Sequence, residues 1–180
     1  MTNTEITRVR DRRLHGTRAA ALVGLMGRRS GINVENVSWE ALSTLPSWCL
    51  DSLAKQQQIQ SLCGAVYLTP VIQSSIDGNF LREMRSVVGQ SVFDRIRCDE
   101  SLHVDWDMDP VIGSTESAVS KCGASVLLAT LTDSSLRTLF KSSLGDCEIE
   151  ISKETARYIL NHANALAGES SVENASAANT

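Results

Sequence analysis

The sequence predicts an all-α protein that forms a single compact multi-helix domain with a disordered C-terminal tail. Apolar residues recur at intervals of three and four along most of the chain, which is the spacing of an amphipathic helix. Capping residues and glycines divide this pattern into roughly seven to nine helices joined by short connections. Residues 147–151 alternate instead, but one short strand does not build a sheet, so an extended connector is predicted there.

The first part of the chain predicts three helices. Residues 7–29 have a partial apolar face. Ser38 has a hydroxyl that suits the N-cap of a short second helix. Pro46 suits the first turn of a third helix, predicted from about residue 47 to residue 68, because a proline at that position loses no helical hydrogen bond.

Two dipeptides mark the next helix starts. Thr69-Pro70 is typical of a capping residue followed by proline in the first turn. Asp77-Gly78 is found in hairpin turns, but its flanks have a helical pattern, so it predicts an elbow between two helices.

In the second half of the chain, glycines predict helix ends and small polar residues predict helix starts. A helix is expected to resume near Ser114 after a long loop. Thr132 and Ser152 are predicted N-caps. The predicted C-terminal glycines are Gly89, Gly145 and Gly168.

The sequence predicts a basic N-terminal helical arm (1–36), a helical core (37–168) and a small, polar tail (169–180) that is expected to be disordered. The net charge is −4, yet residues 1–29 hold seven arginines against Glu5 and Asp11. These arginines are Arg8, Arg10, Arg12, Arg13, Arg18, Arg28 and Arg29. A basic arm on an acidic body suggests an anionic partner or pairing within the chain, and a solvated helix face is the simpler alternative.

The apolar stretch 19–26 follows this basic region, as in a secretory signal. We expect no signal peptide, because Arg28-Arg29 occupies the place of a small-residue cleavage site. No apolar run approaches the ~20 residues of a spanning helix, so a cytoplasmic protein is predicted.

The arm could also bind nucleic acid or an anionic membrane surface. Arginines along a helix can contact phosphates, but the chain is acidic overall and has only three Trp, two Tyr and three Phe for stacking on bases. Insertion into a membrane surface would use four apolar residues, namely Leu22, Val23, Leu25 and Met26.

An acidic segment interrupts the helical pattern between residues 98 and 113. Its five acids, with no Lys between them, are Asp99, Glu100, Asp105, Asp107 and Asp109. From Asp105 to Glu116 the acids have the spacing of a helix-loop-helix calcium site. Pro110 stands where that site needs a glycine with positive φ, so the sequence favours an acidic surface loop instead.

Residues for catalysis or for a cofactor are not marked by any motif. The five cysteines contain no CxxC pair and the three histidines have no metal-ligand spacing, so reduced and mostly buried thiols are predicted. Phosphate-binding glycine loops and a nucleophile elbow are missing from the sequence. We therefore expect a non-enzymatic protein with no cofactor, no metal and no small-molecule substrate, and an enzyme with an unmarked site remains an alternative.

A set of short motifs is spread over residues 40–165, namely Leu45-Pro46-Ser47-Trp48, Leu62-Cys63-Gly64-Ala65, the run from Thr69 to Leu81, Val88-Gly89-Gln90, the run from Gly123 to Ala129, Leu136-Arg137, Ala156 and Leu160. With these motifs, the region resembles the accessory cytoplasmic K component of bacterial type III secretion systems. The resemblance implies a helical adaptor without catalytic residues. It further implies two partners, the cytoplasmic domain of an inner-membrane ring protein and the pod protein of the sorting platform, and a peripheral location at the inner-membrane apparatus.

Two groups of residues are candidate partner-binding sites in such an adaptor. The basic group is Arg8, Arg10, Arg12, Arg13 and Arg18, and the acidic group is Asp99, Glu100, Asp105, Trp106, Asp107, Met108 and Asp109. Trp106 is the proposed apolar anchor of the acidic group, since Trp and Met are enriched at interfaces. Burial of Trp106 in the core is the alternative.

Overall fold

The structure, a computed structural model, describes residues 3–102, 114–145 and 149–177, except for the side chains of residues 3, 4, 6, 100 and 169–177. Within these residues the chain forms α-helices and two short 3-10 turns but no strand, which confirms the predicted all-α class. The helices are α1 (Asn3–Ser30), α2 (Trp39–Ser43), α3 (Leu53–Tyr67), α4 (Thr69–Ser74), α5 (Gly78–Val88), α6 (Gln90–Cys98), α7 (Thr115–Thr130), α8 (Ser134–Leu144) and α9 (Lys153–Ala177).

Several predicted helix boundaries are confirmed by their hydrogen bonds. Ser38 Oγ accepts from the Ala41 amide at 3.1 Å, and Ser152 Oγ accepts from the Thr155 amide at 3.1 Å. Asp77 caps α5 by accepting from the Asn79 amide at 2.8 Å, so Asp77-Gly78 is a helix elbow rather than a hairpin. Gly89 and Gly145 end their helices with φ of 87° and 93°, a conformation that glycine adopts without steric cost.

The long helix predicted after Pro46 is wrong, because the chain breaks it into two pieces. A 3-10 turn covers Ser47–Leu50, and Asp51 then adopts an extended conformation before α3 begins. The Gln56 side-chain amide donates to the carbonyl oxygens of Cys49 (3.2 Å) and Asp51 (3.1 Å). These bonds satisfy carbonyls that a continuous helix would have paired internally.

Three other helix boundaries differ from the prediction. Asp133, not Thr132, caps α8 and accepts from the Ser135 amide at 2.8 Å, since a carboxylate one residue later is also a strong N-cap. Thr69 lies inside the buried start of α4 instead of capping it. Helix α9 continues past Gly168, its predicted end, to Ala177. Of the tail predicted to be disordered (169–180), residues 169–177 are described as the end of α9 without their side chains, and residues 178–180 lie outside the described residues.

The chain folds into two compact units, and unit 1 contains Met1–Gln56 and Thr130–Gly145. In it α1 packs on α2 and on α8. Trp48 is buried in an edge-to-face contact with Phe140, at 5.3 Å between ring centroids. Its indole nitrogen donates to Thr130 Oγ1 at 3.3 Å, so the polar end of the buried ring is also paired.

Unit 2 contains Gln57–Ala129 and Asp146–Thr180. Its α3 and α7 cross with almost no space between their backbones, because glycines occupy both sides of the contact. A Cβ atom added to Gly64 would lie 1.9 Å from the Val119 carbonyl oxygen, and one added to Gly123 would lie 1.9 Å from that of Gln60. Only glycine allows two helices to approach so closely. Elsewhere in unit 2, α6 packs on α4, α5 and α9.

Candidate interaction surfaces

Helix α1 positions the five arginines of the predicted basic group. Arg8, Arg10, Arg12, Arg13 and Arg18 are all exposed. Successive residues of a helix are about 100° apart, so these side chains point to all sides of the helix rather than to one face. The basic group therefore surrounds the helix with positive charge and does not form one charged face opposite an apolar face.

The two halves of α1 have different surroundings. Residues 7–14 are exposed without exception, and they carry the exposed apolar residues Val9 (45% exposed) and Leu14 (53% exposed). From His15 onward the helix packs on other parts of unit 1, and the His15 ring nitrogen Nε2 lies 2.8 Å from the Leu45 carbonyl oxygen. The packed half supports the helix, while the first half projects its side chains into solvent.

Two close contacts fix the packed half of α1. The Trp39 ring covers Gly16 so closely that an added Cβ atom would lie 2.8 Å from it, and Val34 covers Gly27 at the same distance. Further along the helix, Ala19 and Val23 are buried. Trp39 itself is 53% exposed, so its ring contacts α1 and is also accessible to solvent. Sequence reasoning missed Trp39, since nothing in the pattern distinguishes it from a core tryptophan.

The apolar residues considered for membrane insertion do not share an outward face. Val23 is 2% exposed, and Leu22 and Met26 are half-buried. Leu25 is the one exposed residue of the four, at 44%. The expectation that these four residues insert together into a membrane is therefore wrong, because three of them are buried or half-buried on the packed side of α1. Within the part of the chain that the structure describes, no helix has both the length and the apolar character needed to cross a bilayer.

The acidic group is described only at its first end. Asp99 follows α6 and accepts hydrogen bonds from the Ser101 amide (2.9 Å) and hydroxyl (2.6 Å), which hold the pKa of Asp99 below its ordinary value. Glu100 begins a 3-10 turn, Glu100–Leu102. The remaining members, Asp105, Trp106, Asp107, Met108 and Asp109, lie outside the described residues, and so do Pro110 and most of the window considered for calcium.

The first residues of the acidic segment are held on unit 2. Leu102 is 1% exposed, and the Tyr158 hydroxyl donates to the Ser101 carbonyl oxygen at 2.7 Å. The Gln73 side chain donates to the Asp99 carbonyl oxygen at 3.1 Å. After the segment, the buried Thr115 donates its hydroxyl proton to a Glu83 carboxylate oxygen. The described residues on both sides of positions 103–113 are therefore held on unit 2 by hydrogen bonds.

Most of the cysteines and histidines that the structure describes are used in packing. Burial raises the pKa of the Cys49 and Cys63 thiols, and raises that of Cys122 to about 12, so all three are protonated at neutral pH. Cys98 is exposed, and these four described cysteines are free thiols. The His162 and Tyr158 rings are in tilted contact, with ring centroids 4.2 Å apart. Among the described residues, no three His, Cys, Asp or Glu side chains form a group that could hold a metal ion.

Comparison of the chain with protein-family models, with curated proteins and with solved structures found no match. The resemblance to the secretion-system K component therefore stays a prediction from the sequence.

Proposed function

We propose that this protein is a non-enzymatic adaptor of a bacterial type III secretion apparatus. In this proposal it works in the cytoplasm, peripherally bound at the inner membrane, and links the sorting platform to the inner-membrane ring. Its partners would be the cytoplasmic domain of the ring protein and the pod protein of the platform, and it would need no cofactor.

The observation that carries the proposal is the exposed first half of α1. Four arginines within residues 7–14 form no part of a packed core, yet they lie on a helix whose second half is fixed by His15 and Gly16. Exposed charge of this kind contributes little to the stability of the fold but strongly affects the encounter rate with a partner and the choice of that partner. The arginines of α1 belong to unit 1, whereas Asp99 and Glu100, the described members of the acidic group, belong to unit 2.

The test is affinity purification of the tagged full-length chain from its native cell, followed by mass spectrometry. We expect the ring and pod proteins of the secretion system to be recovered together with the chain. Their absence from a preparation that retains the folded protein would contradict the adaptor proposal.

The arrangement of arginines on all sides of α1 favours one alternative, binding to a phosphate-rich polymer or surface. A helix with charge all around can lie among phosphates without a preferred face. Such binding would weaken steeply as salt rises, by roughly one power of ten for each doubling or tripling of salt when several phosphates are contacted. Filter binding to duplex DNA and flotation with phosphatidylserine vesicles across a salt series would detect it.

A further inference from the structure

One side of α1 combines two exposed apolar side chains with two arginines. Val9, Arg12, Arg13 and Gly16 are spaced i, i+3, i+4 and i+7, which places them on the same side of the helix. Gly16 has no side chain of its own, and the Trp39 ring lies directly over it. We call the set of Val9, Arg12, Arg13 and Trp39 the Val9–Trp39 face.

The Val9–Trp39 face has the composition of an interaction site. A single exposed apolar residue needs no explanation, but here Val9 and Trp39 lie 45% and 53% exposed on one side of a helix, with two exposed arginines between them. Trp and Arg are the residue types that most often dominate binding energy. Val9 and Gly16 are about 10 Å apart along the axis, from a rise of 1.5 Å per residue. This is also the distance between residues i and i+7 of a docking helix.

We propose that the Val9–Trp39 face binds an acidic amphipathic helix of a partner protein. The inference rests on the proposed adaptor function and adds the chemistry of one partner. Charge complementarity indicates an acidic partner, because the exposed turns hold Arg8, Arg10, Arg12 and Arg13 against Asp11 alone. The apolar residues of the partner helix would cover Val9 and the outer face of Trp39.

Two features favour a protein helix over the other anionic partners. A helix that inserts into a membrane surface needs one uncharged side, whereas the arginines of α1 leave none. Contact with phosphates would use the arginines but leave Val9 without a role.

The experiment measures binding of the full-length chain to a synthetic helical peptide. The peptide carries Leu at positions i, i+3, i+4 and i+7 and mostly Glu elsewhere, and a scrambled peptide of the same composition serves as its control. Fluorescence anisotropy of the labelled peptides gives the dissociation constants. We expect the amphipathic peptide to bind at least about tenfold more tightly than the scrambled one, since an ordered apolar face adds to charge attraction.

Paired variants of the same helix then locate the site. R12Q/R13Q should weaken binding about tenfold, whereas R28Q/R29Q, which removes the same charge from the other end of α1, should change it less than about twofold. Val9→Ser should weaken binding about threefold to tenfold by removing an apolar contact. All of these positions are exposed, so circular dichroism should be unchanged.

Three results would overturn the inference. The first is equal binding of both peptides, and the second is an equal loss of binding from the two arginine pairs. The third is that the chain binds vesicles of equal parts phosphatidylserine and phosphatidylcholine, or a short RNA duplex, more tightly than it binds the amphipathic peptide.

The proposed function and the Val9–Trp39 face can fail independently of each other. Peptide binding without recovery of secretion proteins from cells would leave the Val9–Trp39 face standing and remove the adaptor. If R12Q/R13Q recovers those proteins at the normal level, the adaptor proposal is retained and the Val9–Trp39 face is ruled out as their binding site.

Discussion

The first turns of α1 and the crossing of α3 with α7 differ in how far their side chains are exposed to solvent. In the crossing, backbone meets backbone at Gly64 and Gly123, and the side chains around it are buried. In α1, residues 7–14 contact solvent on every side and four of the eight are arginines. The crossing tolerates almost no added atom, whereas the α1 turns tolerate nearly any helix-compatible side chain.

This difference separates residues that serve the fold from residues that do not. A buried glycine contact is explained by packing alone. Exposed arginines beside an exposed valine and tryptophan contribute little to folding, so their presence calls for an explanation from binding.

The largest expected effect is at the crossing. Gly64→Ala or Gly123→Ala places a methyl group 1.9 Å from a backbone carbonyl oxygen, so the helices must separate. We expect the free energy of unfolding to fall by about 3 kcal/mol, at the upper end of overpacking costs. Urea denaturation followed by circular dichroism measures it.

Gly168→Ala in α9 is the matched control, because no atom lies within 4 Å of its added methyl group. It should be neutral or stabilise by up to about 1 kcal/mol, as alanine favours the helix. Equal stability of the Gly64 and Gly168 variants would contradict the close crossing.

A smaller loss is expected from the buried amide at the same crossing. Gln60 is 7% exposed and donates from Nε2 to the carbonyl oxygen (2.9 Å) and hydroxyl (3.1 Å) of Ser120. Gln60→Ala should cost about 1–2 kcal/mol, since hydrogen bonds and buried packing are lost together. Gln58→Ala, an exposed change on the same helix, should stay within about 0.5 kcal/mol. Similar losses from both variants would mean that the Gln60 bonds contribute nothing.

The cap of α8 offers a test between neighbouring residues. Asp133 accepts from the Ser135 and Leu136 amides, whereas the sequence pattern pointed to Thr132. Asp133→Ala should cost about 1 kcal/mol of unfolding free energy, the usual cost of losing an N-cap. Thr132→Ala should cost much less, because Thr132 is exposed. Thermal denaturation of the two variants measures these losses. A lower stability of Thr132→Ala than of Asp133→Ala would show that Thr132 is the N-cap of α8.

The smallest expected effect is a pH dependence at Asp99. Hydrogen bonds from Ser101 lower the pKa of Asp99 in the folded protein below its ordinary value of 3.8. The stabilisation is therefore present above pH 3.8 and is lost as the pH falls through the lowered pKa. Ser101→Ala should raise the pKa of Asp99 towards its ordinary value in an NMR titration of the carboxyl carbon. An unchanged pKa in this variant would remove Ser101 as the cause.

Many helix boundaries could be predicted because they depend on residues that are close together in the sequence. Ser38, Asp77 and Gly89 act within three or four residues of their own position, so their roles were predictable. The break at Asp51 was not, because it depends on a bond from Gln56 that competes with a continuous helix. The α3–α7 crossing escaped prediction for a related reason, since glycines within a helical pattern do not reveal which helix they will contact.

The candidate surfaces were only half predictable. Clustered arginines in residues 8–18 are visible in any reading of the sequence, and their exposure follows from their charge. The contribution of Trp39 depends on where the chain returns after α1, a tertiary fact without a local signature. The same lack of information led to the expectation that Val23 faces outward, although it lies in the core.

The most direct test of the central claim is recovery of partners by two variants of α1. R12Q/R13Q and R28Q/R29Q remove the same charge from the same helix, and all four arginines are exposed. Each tagged variant is purified from its native cell, and its co-purifying ring and pod proteins are quantified against the unaltered chain. We expect R12Q/R13Q to lose most of one partner while R28Q/R29Q keeps both, with unfolding curves that overlap within about 0.5 kcal/mol. Equal recovery of both partners by the two variants would contradict the claim that the first turns of α1 are a binding surface.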